Sequence, residues 1–504
     1  MRHSLWRAAA VAGVIAVAAA TTLSGCTSSA SSSGKTLTIG STADINSWTP
    51  GQPSYQSWPL QAVYDELFRC DAKGEPQPDM AESFKFADDN TGVTIKVRQN
   101  MKFSDGEKAD ASAIKTYLDW AITAANSRFV DWKVTTPDAD TVKITLPGSN
   151  PLIKLYLCNQ VVPSPKAVAA AVKTKNWTTP IGSGPYTLDT KGTTAGSVYS
   201  FTKNKDFWDA ATFPYDKVVV KVLKSDTAAI NALKTGQING VLLSSNTLTE
   251  AQSTSSLDVL RLKAPNTTRL LITDHLGKVI PALGDLKVRQ AINMVFDRDS
   301  MAKDLYRGNA SPAYQIFKPG SDAYIKGLKD PYPYDVDKAK QLMSEAGYAD
   351  GFSIQIPVIS GGGNIDLLIP YVTQQLALIN IKVEQAPLSG PNMYADLLGG
   401  KYPMPLWQLG NYGASLQDIS DYVLKSGIWN VEHQDDATID ALWAKVVAGE
   451  DVAKNEQAIN QYTIDQAWFV PMVYADNFYG HSKSVKIPEV TDFTGLNPML
   501  WDFK

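Results

Sequence analysis

The chain has 504 residues, of which 51 are Asp or Glu and 47 are Lys or Arg, giving a net charge of −4 at neutral pH. This balance excludes a strongly basic protein of the kind that binds nucleic acid through clustered Lys and Arg. One domain has roughly 100 to 200 residues, so the length excludes a single small domain and predicts at least two lobes.

The amino-terminal segment has the features of a secretory signal. Two arginines precede an apolar run from Ala8 to Ala20. Crossing a bilayer needs roughly 20 apolar residues, so this run predicts a cleavable signal rather than a permanent span. The segment ending Leu-Ser-Gly-Cys26 resembles a bacterial lipobox, which implies cleavage before Cys26 and a diacylglycerol thioether on its sulfur. Ordinary secretion with an incidental cysteine is the alternative.

Residues 27–34 consist of Ser, Thr, Ala and Gly only. A segment of this composition cannot bury a core, so it predicts a flexible tether between Cys26 and the folded body. A single acyl chain binds membranes only marginally, whereas two or more chains hold a protein there. We therefore expect the protein at the extracytoplasmic face of a bacterial cell membrane, held by a lipid anchor.

The first part of the folded chain shows alternating apolar and polar residues in three places, which predicts strands. These are Thr36–Gly40, Val93–Val97 and Val142–Leu146, the last of them ended by a proline. A short helix is predicted at Leu60–Phe68 and a turn at Pro76–Ser83.

A longer helix is predicted after Asp110, which is well placed as its N-cap. Its apolar residues recur at helical spacing and define one buried face. They are Ile114, Tyr117, Leu118, Ala121, Ile122 and Ala125.

Two cysteines remain once Cys26 is assigned to lipidation. In an oxidising compartment an isolated pair such as Cys70 and Cys158 often forms a bridge. Sequence spacing alone cannot place their Cα atoms within about 7 Å of each other, so the bridged and free forms both stay open.

Three short segments carry a family resemblance in the first half of the chain. Tyr64–Leu67, Pro78–Ser83 and Lys102–Gly106 are similar, in order and spacing, to the amino-terminal lobe of family 5 solute-binding proteins. Those proteins are the oligopeptide-, dipeptide- and nickel-binding components of ABC importers. The resemblance implies an α/β, two-lobed periplasmic-binding-protein-like fold (type II, cluster C) with an extra subdomain in the first lobe.

The same resemblance continues to the end of the chain. Gly182–Tyr186 lacks the Gly-Lys-Ser/Thr ending of a phosphate-binding loop and predicts a tight turn before a strand. Asp285 is placed to cap a helix with apolar face Val288 to Phe296, whose Arg289, Asn293 and Asp297 predict a packed support rather than a ligand site.

Further along, a helix around Leu342 is predicted to end at Gly347, followed by a βαβ unit. The predicted members of that unit are strand Ile354–Val358, helix Leu367–Ile379 and strand Ile381–Val383.

Domain boundaries are placed by the resemblance, because no composition shift marks them. The chain is expected to cross between lobes near Arg269–Asp274 and again near Tyr474–Phe478, and two crossings make a hinge that permits closure. The predicted ranges are signal 1–25, lipidated cysteine and tether 26–35, first lobe 36–272 with its subdomain at roughly 54–165, second lobe 273–475, and a return to the first lobe at 476–504.

The predicted ligand site centres on the loop Trp407–Gly413. Peptide-binding relatives commonly carry an Asp before the Tyr of this loop, where it pairs with the ammonium group of the peptide; this chain has Asn411. An amide offers only neutral hydrogen bonds, worth roughly 0.5 to 1.5 kcal/mol each. Asp418 or Asp421 could substitute for the missing carboxylate.

Amides beside aromatic rings also suit sugar recognition, because an indole covers the apolar face of a pyranose. The predicted ligand-binding residues are Trp48, Trp58, Trp407, Asn411, Tyr412 and Trp429.

The predicted function is that of a non-catalytic, monomeric binding lipoprotein. It captures a small solute between two lobes and delivers it to ABC permease subunits, without a cofactor and without nucleic acid. The ligand is expected to be an oligopeptide, with an oligosaccharide as the alternative. The three histidines after the signal are scattered and predict no built metal site, although a chelated nickel ligand stays open. A tethered hydrolase is disfavoured because Gly-x-Ser-x-Gly and His-Glu-x-x-His are absent from the sequence. A surface adhesin or scaffold is a third reading.

Overall fold

The computed structural model describes residues 35–45, 47–50, 58–71, 73–124, 128–158, 160–359, 365–388, 393–410, 414–490 and 496–504. The predicted signal, Cys26 and the 27–34 tether lie outside these residues, as do Ala125, Asn411 and Tyr412. Lys35–Lys504 forms one compact unit. In the described part of the chain, no helix is both long enough and apolar enough to cross a membrane.

The described residues form nineteen strands, many of them short. They are β1 (Thr36–Ser41), β2 (Asp65–Glu66), β3 (Phe68–Cys70), β4 (Pro76–Pro78), β5 (Ala81–Phe86), β6 (Gly92–Val97), β7 (Lys133–Asp138), β8 (Thr141–Thr145), β9 (Val161–Val162), β10 (Tyr186–Leu188), β11 (Val198–Lys203), β12 (Lys217–Val222), β13 (Gly240–Leu243), β14 (Leu257–Leu271), β15 (Ala310–Pro312), β16 (Phe352–Ile359), β17 (Ile381–Leu388), β18 (Leu406–Gly410) and β19 (Phe469–Ser482).

Fourteen α-helices lie between them in the same described ranges. They are α1 (Trp58–Val63), α2 (Ala111–Thr123), α3 (Ile153–Leu157), α4 (Pro165–Thr174), α5 (Asp226–Lys234), α6 (Ser245–Ser253), α7 (Leu286–Met294), α8 (Arg298–Ser300), α9 (Val336–Glu345), α10 (Ile365–Ala377), α11 (Met393–Leu398), α12 (Ser415–Tyr422), α13 (Ala437–Val447) and α14 (Val452–Asp465).

A nine-stranded sheet forms the centre of the molecule, in the order β10–β11–β12–β1–β13–β19–β14–β18, with β15 paired to β19. Strand β1 runs parallel to β12 and β13, whereas β19 runs antiparallel to both β13 and β14. The last strand of the chain therefore lies in the interior of the sheet, between two strands made much earlier.

Strands β14 and β19 join the two lobes. Their pairing is interrupted between Leu262 and Asn266, and the register shifts again between Thr268 and Arg269. On one side of the interruption β19 pairs with β13, while on the other side β14 pairs with β18 and β19 with β15. The exact lobe boundaries stay a prediction, but the two strands carry the chain between two groups of strands.

Asp476 stabilises the backbone at the point where the β14–β19 pairing is interrupted. Its carboxylate accepts a hydrogen bond from the backbone N–H of Ala264 at 2.8 Å and one from Arg261 Nε at 2.6 Å. Ala264 has a φ of +49°, in the left-handed region that costs a non-glycine residue energy. One side chain therefore stabilises an unfavourable backbone conformation at the point where the sheet passes between lobes.

The first lobe contains a separate four-stranded antiparallel sheet, β5–β6–β8–β7, inside the range predicted for the extra subdomain. Helix α2 packs on it, with Ile114 and Tyr117 in one core with Ile95 and Ile144. The prediction that Asp110 caps this helix is confirmed, since its side chain accepts from two backbone N–H groups of the first turn at 3.0 and 3.2 Å.

The cysteine question is settled in favour of a bridge. Cys70, at the end of β3, is bonded to Cys158, and their Cα atoms lie 5.6 Å apart. Both residues are buried. The bond closes a loop of 88 residues that contains the whole subdomain sheet, and the chain-entropy model of disulfides assigns a loop of this length a stabilisation of about 4.6 kcal/mol.

The predicted helix Leu60–Phe68 is wrong in its second half. Helix α1 ends at Val63, and the chain then enters strands β2 and β3. Leu60 and Val63 pack in the core of the central sheet, whereas Leu67 and Phe68 pack in the subdomain core. The apolar residues have the spacing of a helical face, but they pack in two different cores.

The predicted turn Pro76–Ser83 is also partly wrong. Pro76–Pro78 forms strand β4, which pairs only with β3 among the described strands, and β5 begins at Ala81. Proline is tolerated on such an edge strand because its missing N–H faces away from the partner strand.

The Gly182–Tyr186 turn precedes strand β10 as predicted. A Cβ at Gly184 would lie 2.7 Å from the carbonyl oxygen of Tyr64, closer than van der Waals contact allows. Glycine is required there because the turn lies directly against the backbone that follows α1.

The second lobe contains the predicted βαβ unit, since β16 and β17 are parallel and α10 connects them. Helix α7 is capped by Asp285, as predicted, and buries Val288 and Ile292 in the same core as Ile354 of β16. Helix α9 ends before Gly347, whose φ is +81°.

Candidate functional site

Helix α12 is one of the elements of the second lobe that the subdomain of the first lobe contacts. Arg128 Nη2 lies 2.8 Å from Asp421 Oδ1, and the hydroxyls of Tyr156 and Ser420 are 2.9 Å apart. Ser149 Oγ donates to the carbonyl of Val447 at 3.2 Å, at the end of α13. Residues separated by more than 250 positions in sequence thus form one interlobe contact.

The charge pair at this contact is largely removed from water. The Asp421 side chain is 6% exposed and that of Arg128 is 30% exposed. Burial raises the pKa of Asp421, while the positive charge of Arg128 and the hydrogen bonds from Gln417 and Arg128 oppose that shift. The pair therefore favours the closed arrangement only while Arg128 compensates the buried carboxylate. Asp421 is paired with Arg128 in this structure, and its binding to a ligand ammonium stays a prediction.

Two of the predicted aromatic residues come together beside α12. The rings of Trp407, on β18, and Trp429, just after α12, have centroids 5.7 Å apart and an interplanar angle of 43°. Both are half-buried, and they pack with Tyr402 and Leu388 in a small apolar cluster. Trp407 lies on the strand that precedes Asn411 and Tyr412 in sequence, and those two residues fall outside the described residues.

The other two predicted aromatic residues lie elsewhere. Trp58 is fully buried in α1, and its indole N–H donates to the carbonyl of Pro498 at 2.8 Å. Trp48 is half-buried, edge-on to Tyr199 and Phe201 of β11. The structure places both in the packing of the first lobe and does not bring them to the Trp407–Trp429 pair.

Buried polar residues lie on α12 and on strands β14 and β19. Arg269 of β14 is 0% exposed, and its guanidinium lies 4.3 Å from the ring centre of Tyr422. Asp418 is buried on the same helix. Burial raises the pKa of Tyr474 well above its usual value, and the charges of Arg269 and Asp418 also act on it, in opposite directions.

Sequence reasoning identified Asp418 as a candidate but missed Arg269. The sequence signal for Arg269 was its position between two threonines and the apolar run Leu270–Ile272. A strand that is buried on both faces is expected to be apolar, so a charged residue in it is unusual.

A buried carboxyl group holds the start of α12. Ser415 Oγ donates to Glu456 Oε2 of α14 and accepts from the backbone N–H of Ala323. Burial raises the pKa of Glu456 to about 7, only partly offset by the serine. Helix α12 is therefore anchored by a group whose charge changes near neutral pH.

The histidines occupy separate positions. His275 stacks on Trp468 at 4.5 Å, and burial lowers its pKa to about 4. His433 and His481 each make a hydrogen bond to a backbone carbonyl oxygen. Among the described residues, no group of three or more His, Cys, Asp and Glu side chains is arranged to hold a metal ion.

Two lobes joined by paired strands, with a contact between them that closes over one helix, define the two-lobed fold of a periplasmic binding protein. Residues 75–430 match the family model for bacterial extracellular solute-binding proteins, family 5. The chain belongs to this family, as the sequence resemblance predicted.

Individual relatives support this assignment. The glutathione-binding protein GsiB of Escherichia coli (strain K12) is 29% identical over 353 residues, which cover 67% of this chain and 66% of that protein. The match thus spans slightly less than two thirds of the length of that relative.

Solved structures confirm the fold. AgaA from A. tumefaciens R10, in complex with agropinic acid, has a TM-score of 0.82 at 22% identity, covering 93% of this chain and 98% of that one. DppA from Helicobacter pylori, in complex with the peptide STSA, has a TM-score of 0.81 at 20% identity with the same coverage. At these identities the likeness shows the fold alone.

Proposed function

We propose that the protein is the substrate-binding lipoprotein of a bacterial ABC importer. It captures a small solute between its lobes at the extracytoplasmic face of the membrane and passes it unaltered to the permease. The observation that carries this proposal is the β14–β19 connection combined with the contact of α12 with the subdomain, in a chain that belongs to family 5. A two-lobed binding protein with a hinge needs no catalytic group, because its selectivity between solutes comes from the differential stability of its open and closed states.

The ligand that we favour is an oligopeptide. Extended peptides suit a cleft lined by backbone and amide groups, and the relatives include proteins named for glutathione or solved with a peptide. Asn411 replaces the acid that commonly pairs with the peptide ammonium, and Asp421 is engaged by Arg128. Asp418, which is buried on α12, is the other carboxylate that the sequence offers for that charge.

An oligosaccharide is the second candidate, and one observation favours it. Trp407 and Trp429 present two half-buried indoles, tilted by 43°, beside the strand that leads to Asn411. Indole faces cover apolar sugar faces, and amides bridge vicinal hydroxyls.

A paired screen tests the function and chooses between these ligands. Thermal shifts are measured with a library of di- to octapeptides and with a glycan library, and each hit is followed by small-angle scattering. We expect peptides to raise the melting temperature and to reduce the radius of gyration, with the peptide recovered intact by mass spectrometry. Stabilisation by glycans alone would reject the peptide assignment, and hydrolysis of a hit would reject the transport role.

The lipid anchor has its own test. We propose that Cys26 carries the lipid and that residues 27–34 serve as the tether. Metabolic labelling with an alkyne fatty acid should mark the wild-type chain and leave Cys26→Ala unlabelled and released from the membrane. Equal labelling of both chains would contradict the assignment.

A further inference from the structure

Two of the segments that carry the family resemblance, Tyr64–Leu67 and Pro78–Ser83, meet at a buried cluster of acidic side chains. The backbone N–H of Met80 donates to the carbonyl oxygen of Glu66 at 3.1 Å and holds the two segments side by side. The acid cluster consists of Asp65, Glu66 and Asp79. Each of these residues is no more than 3% exposed. Neither the candidate ligand site nor the interlobe contact uses them.

The acid cluster lies where the subdomain joins the rest of the first lobe. Trp208 packs against the cores of both parts, and its indole N–H donates to Asp65 Oδ2 at 2.9 Å. Arg69 Nε lies 2.7 Å from Asp79 Oδ2, and its guanidinium is 4.7 Å from the ring centre of Trp501, close to the end of the chain. The cluster therefore contacts side chains on both sides of this junction.

The charges at the junction are not balanced. Two arginines face the acid cluster, and the second of them, Arg98, donates from Nε to the carbonyl oxygen of Asp79 at 3.2 Å. Burial alone would lower the pKa of Arg69, but the three carboxyl groups of the cluster and that of Asp209 raise it. Four carboxyl groups thus face two guanidinium groups, so a bound proton would relieve part of the excess negative charge.

The contacts within the cluster place such a proton. A hydrogen bond joins the side chains of Asp65 and Asp79, and two ionised carboxylates cannot form one because both are only acceptors. Burial raises the pKa of Asp65 well above its ordinary value, and the charge of Asp79 raises it further. Burial also raises the pKa of Asp79, but the positive charge of Arg69 opposes that shift. The proton is therefore assigned to Asp65, whose other partner is the neutral indole of Trp208.

We propose that Asp65 and Asp79 form a proton-binding site that holds the subdomain against the rest of the first lobe and thereby couples solute capture to pH. The subdomain supplies Arg128 and Tyr156 to the contact with α12, so its position affects whether that contact forms. Release of the proton to water leaves two adjacent buried carboxylates, whose repulsion loosens the junction. The proton site stands on its own contacts, whereas its coupling to solute capture rests on the proposed function.

The direction of the pH effect follows from the raised pKa of Asp65. The folded protein binds this proton more tightly than the unfolded chain does, so the proton stabilises the junction. This stabilisation is fully present below the ordinary value of 3.8 and is lost as the pH rises through the pKa of the folded protein. We therefore expect acidic and neutral solutions to favour the contact with α12 and alkaline solutions to weaken it.

Infrared difference spectroscopy of the full chain tests for the proton directly. The spectrum of wild type minus that of Asp65→Asn at pH 6 should contain the carbonyl stretch of one protonated carboxyl group, and this band should disappear as the pH is raised to 10. Asp119→Asn, which changes an exposed carboxylate on α2, should give no such band. Absence of the band at pH 6 would overturn the proton site, and a band unchanged at pH 10 would overturn the coupling to pH.

Melting temperatures test which aspartate carries the proton. Asp65→Asn keeps a neutral donor towards Asp79 and an acceptor for Trp208, so it should melt with wild type at pH 6 and above wild type at pH 9.5. Asp79→Asn leaves Arg69 without its carboxylate and should melt several degrees lower at pH 6. Equal falls for both variants at pH 6 would overturn the assignment of the proton to Asp65.

Small-angle scattering and peptide titrations test the coupling. We expect the radius of gyration of the solute-free wild type to increase between pH 6 and 9.5, and that of Asp65→Asn to change less. The di- to octapeptides that stabilise the protein are titrated at both pH values, and their affinity for wild type should fall about tenfold, within the range for coupled sites. An equal fall for Asp65→Asn would overturn the coupling. The infrared band without compaction by any member of the peptide and glycan libraries would support the proton site and reject the transport function.

Discussion

At the scale of single residues, helix α12 of the interlobe contact is held by two acidic groups whose burial disfavours the ionised form. Glu456 and Asp421 both have raised pKa values because they are buried, and they act at opposite ends of α12. The first is stabilised by a neutral serine and the second by Arg128. We therefore expect the start of α12 to respond to pH through Glu456 and its other end to depend on the positive charge of Arg128.

Glu456 predicts a pH dependence of stability. Its folded pKa of about 7 lies above the ordinary value of 4.5, so the native state binds the proton more tightly than the unfolded state. Its stabilising effect is fully present below pH 4.5 and is lost as the pH rises to about 7, an effect on the order of 3 kcal/mol. Glu456→Gln, which keeps a neutral group of the same shape, should flatten this change.

Chemical denaturation of both proteins between pH 4.5 and 8 measures the effect. Because other groups titrate in the same range, the relevant quantity is the difference between wild type and variant. A difference that stays constant over this range would show that Glu456 ionises normally in the folded protein.

At the scale of elements, the interruption between β14 and β19 is the feature that lets one sheet serve two lobes. The unpaired residues of β14 are opposed by Asp476 alone, and this side chain holds Ala264 in its left-handed conformation. An interruption of this kind locally weakens the ladder and bends it, which is where a change in lobe orientation costs least.

Asp476 variants separate the charge from the hydrogen bond. Asp476→Asn keeps an acceptor for the Ala264 N–H and loses the pair with Arg261, which is 48% exposed, so we expect a loss of at most about 1 kcal/mol. Asp476→Ala leaves the N–H unsatisfied and should cost about 1 to 3 kcal/mol. Urea unfolding gives both values, and equal effects for the two variants would contradict this account.

Local features of the elements were readable from the sequence. The caps at Asp110 and Asp285 and the left-handed Gly347 were predicted because each depends on residues within one turn. The end of α1 was not, because apolar residues at helical spacing can belong to two cores. The Cys70–Cys158 bond and the complete burial of Trp58 depend on partners far along the chain, and no local pattern encodes them.

The candidate site was predictable only in part, for the same reason. The resemblance directed attention to β18 and the start of α12, and the structure brings Trp407 and Trp429 together there. The burial of Arg269 and the capture of Asp421 by Arg128 arise from the packing of α12 against both lobes. Sequence distance hides such contacts, since the pair Arg128–Asp421 spans 293 positions.

At the scale of the whole molecule, the ion pair Arg128–Asp421 joins the lobes and should bias the protein towards closure. Arg128→Gln leaves Asp421 buried without its cation, so we expect a larger average radius of gyration and about tenfold weaker solute binding at pH 8. Lowering the pH should partly restore closure, because a protonated Asp421 carries no charge to compensate.

A double variant and a neighbouring control make this prediction specific. Arg128→Gln with Asp421→Asn removes both charges and should bind more tightly than Arg128→Gln alone. Ser149→Ala, at the same interface but exposed, should change little. Asp421→Asn alone completes the cycle, and single-variant effects that add without coupling would show that the ion pair does not contribute to closure.

The interior position of β19 has a consequence for how the protein is made. A ribosome builds β13 and β14 hundreds of residues before β19, so their facing edges stay unpaired until residues 469–482 exist. The growing chain therefore cannot complete its central sheet until this last strand has been synthesised. For the exported protein that we propose, residues 469–482 must reach the same compartment as β13 and β14 before the sheet can form.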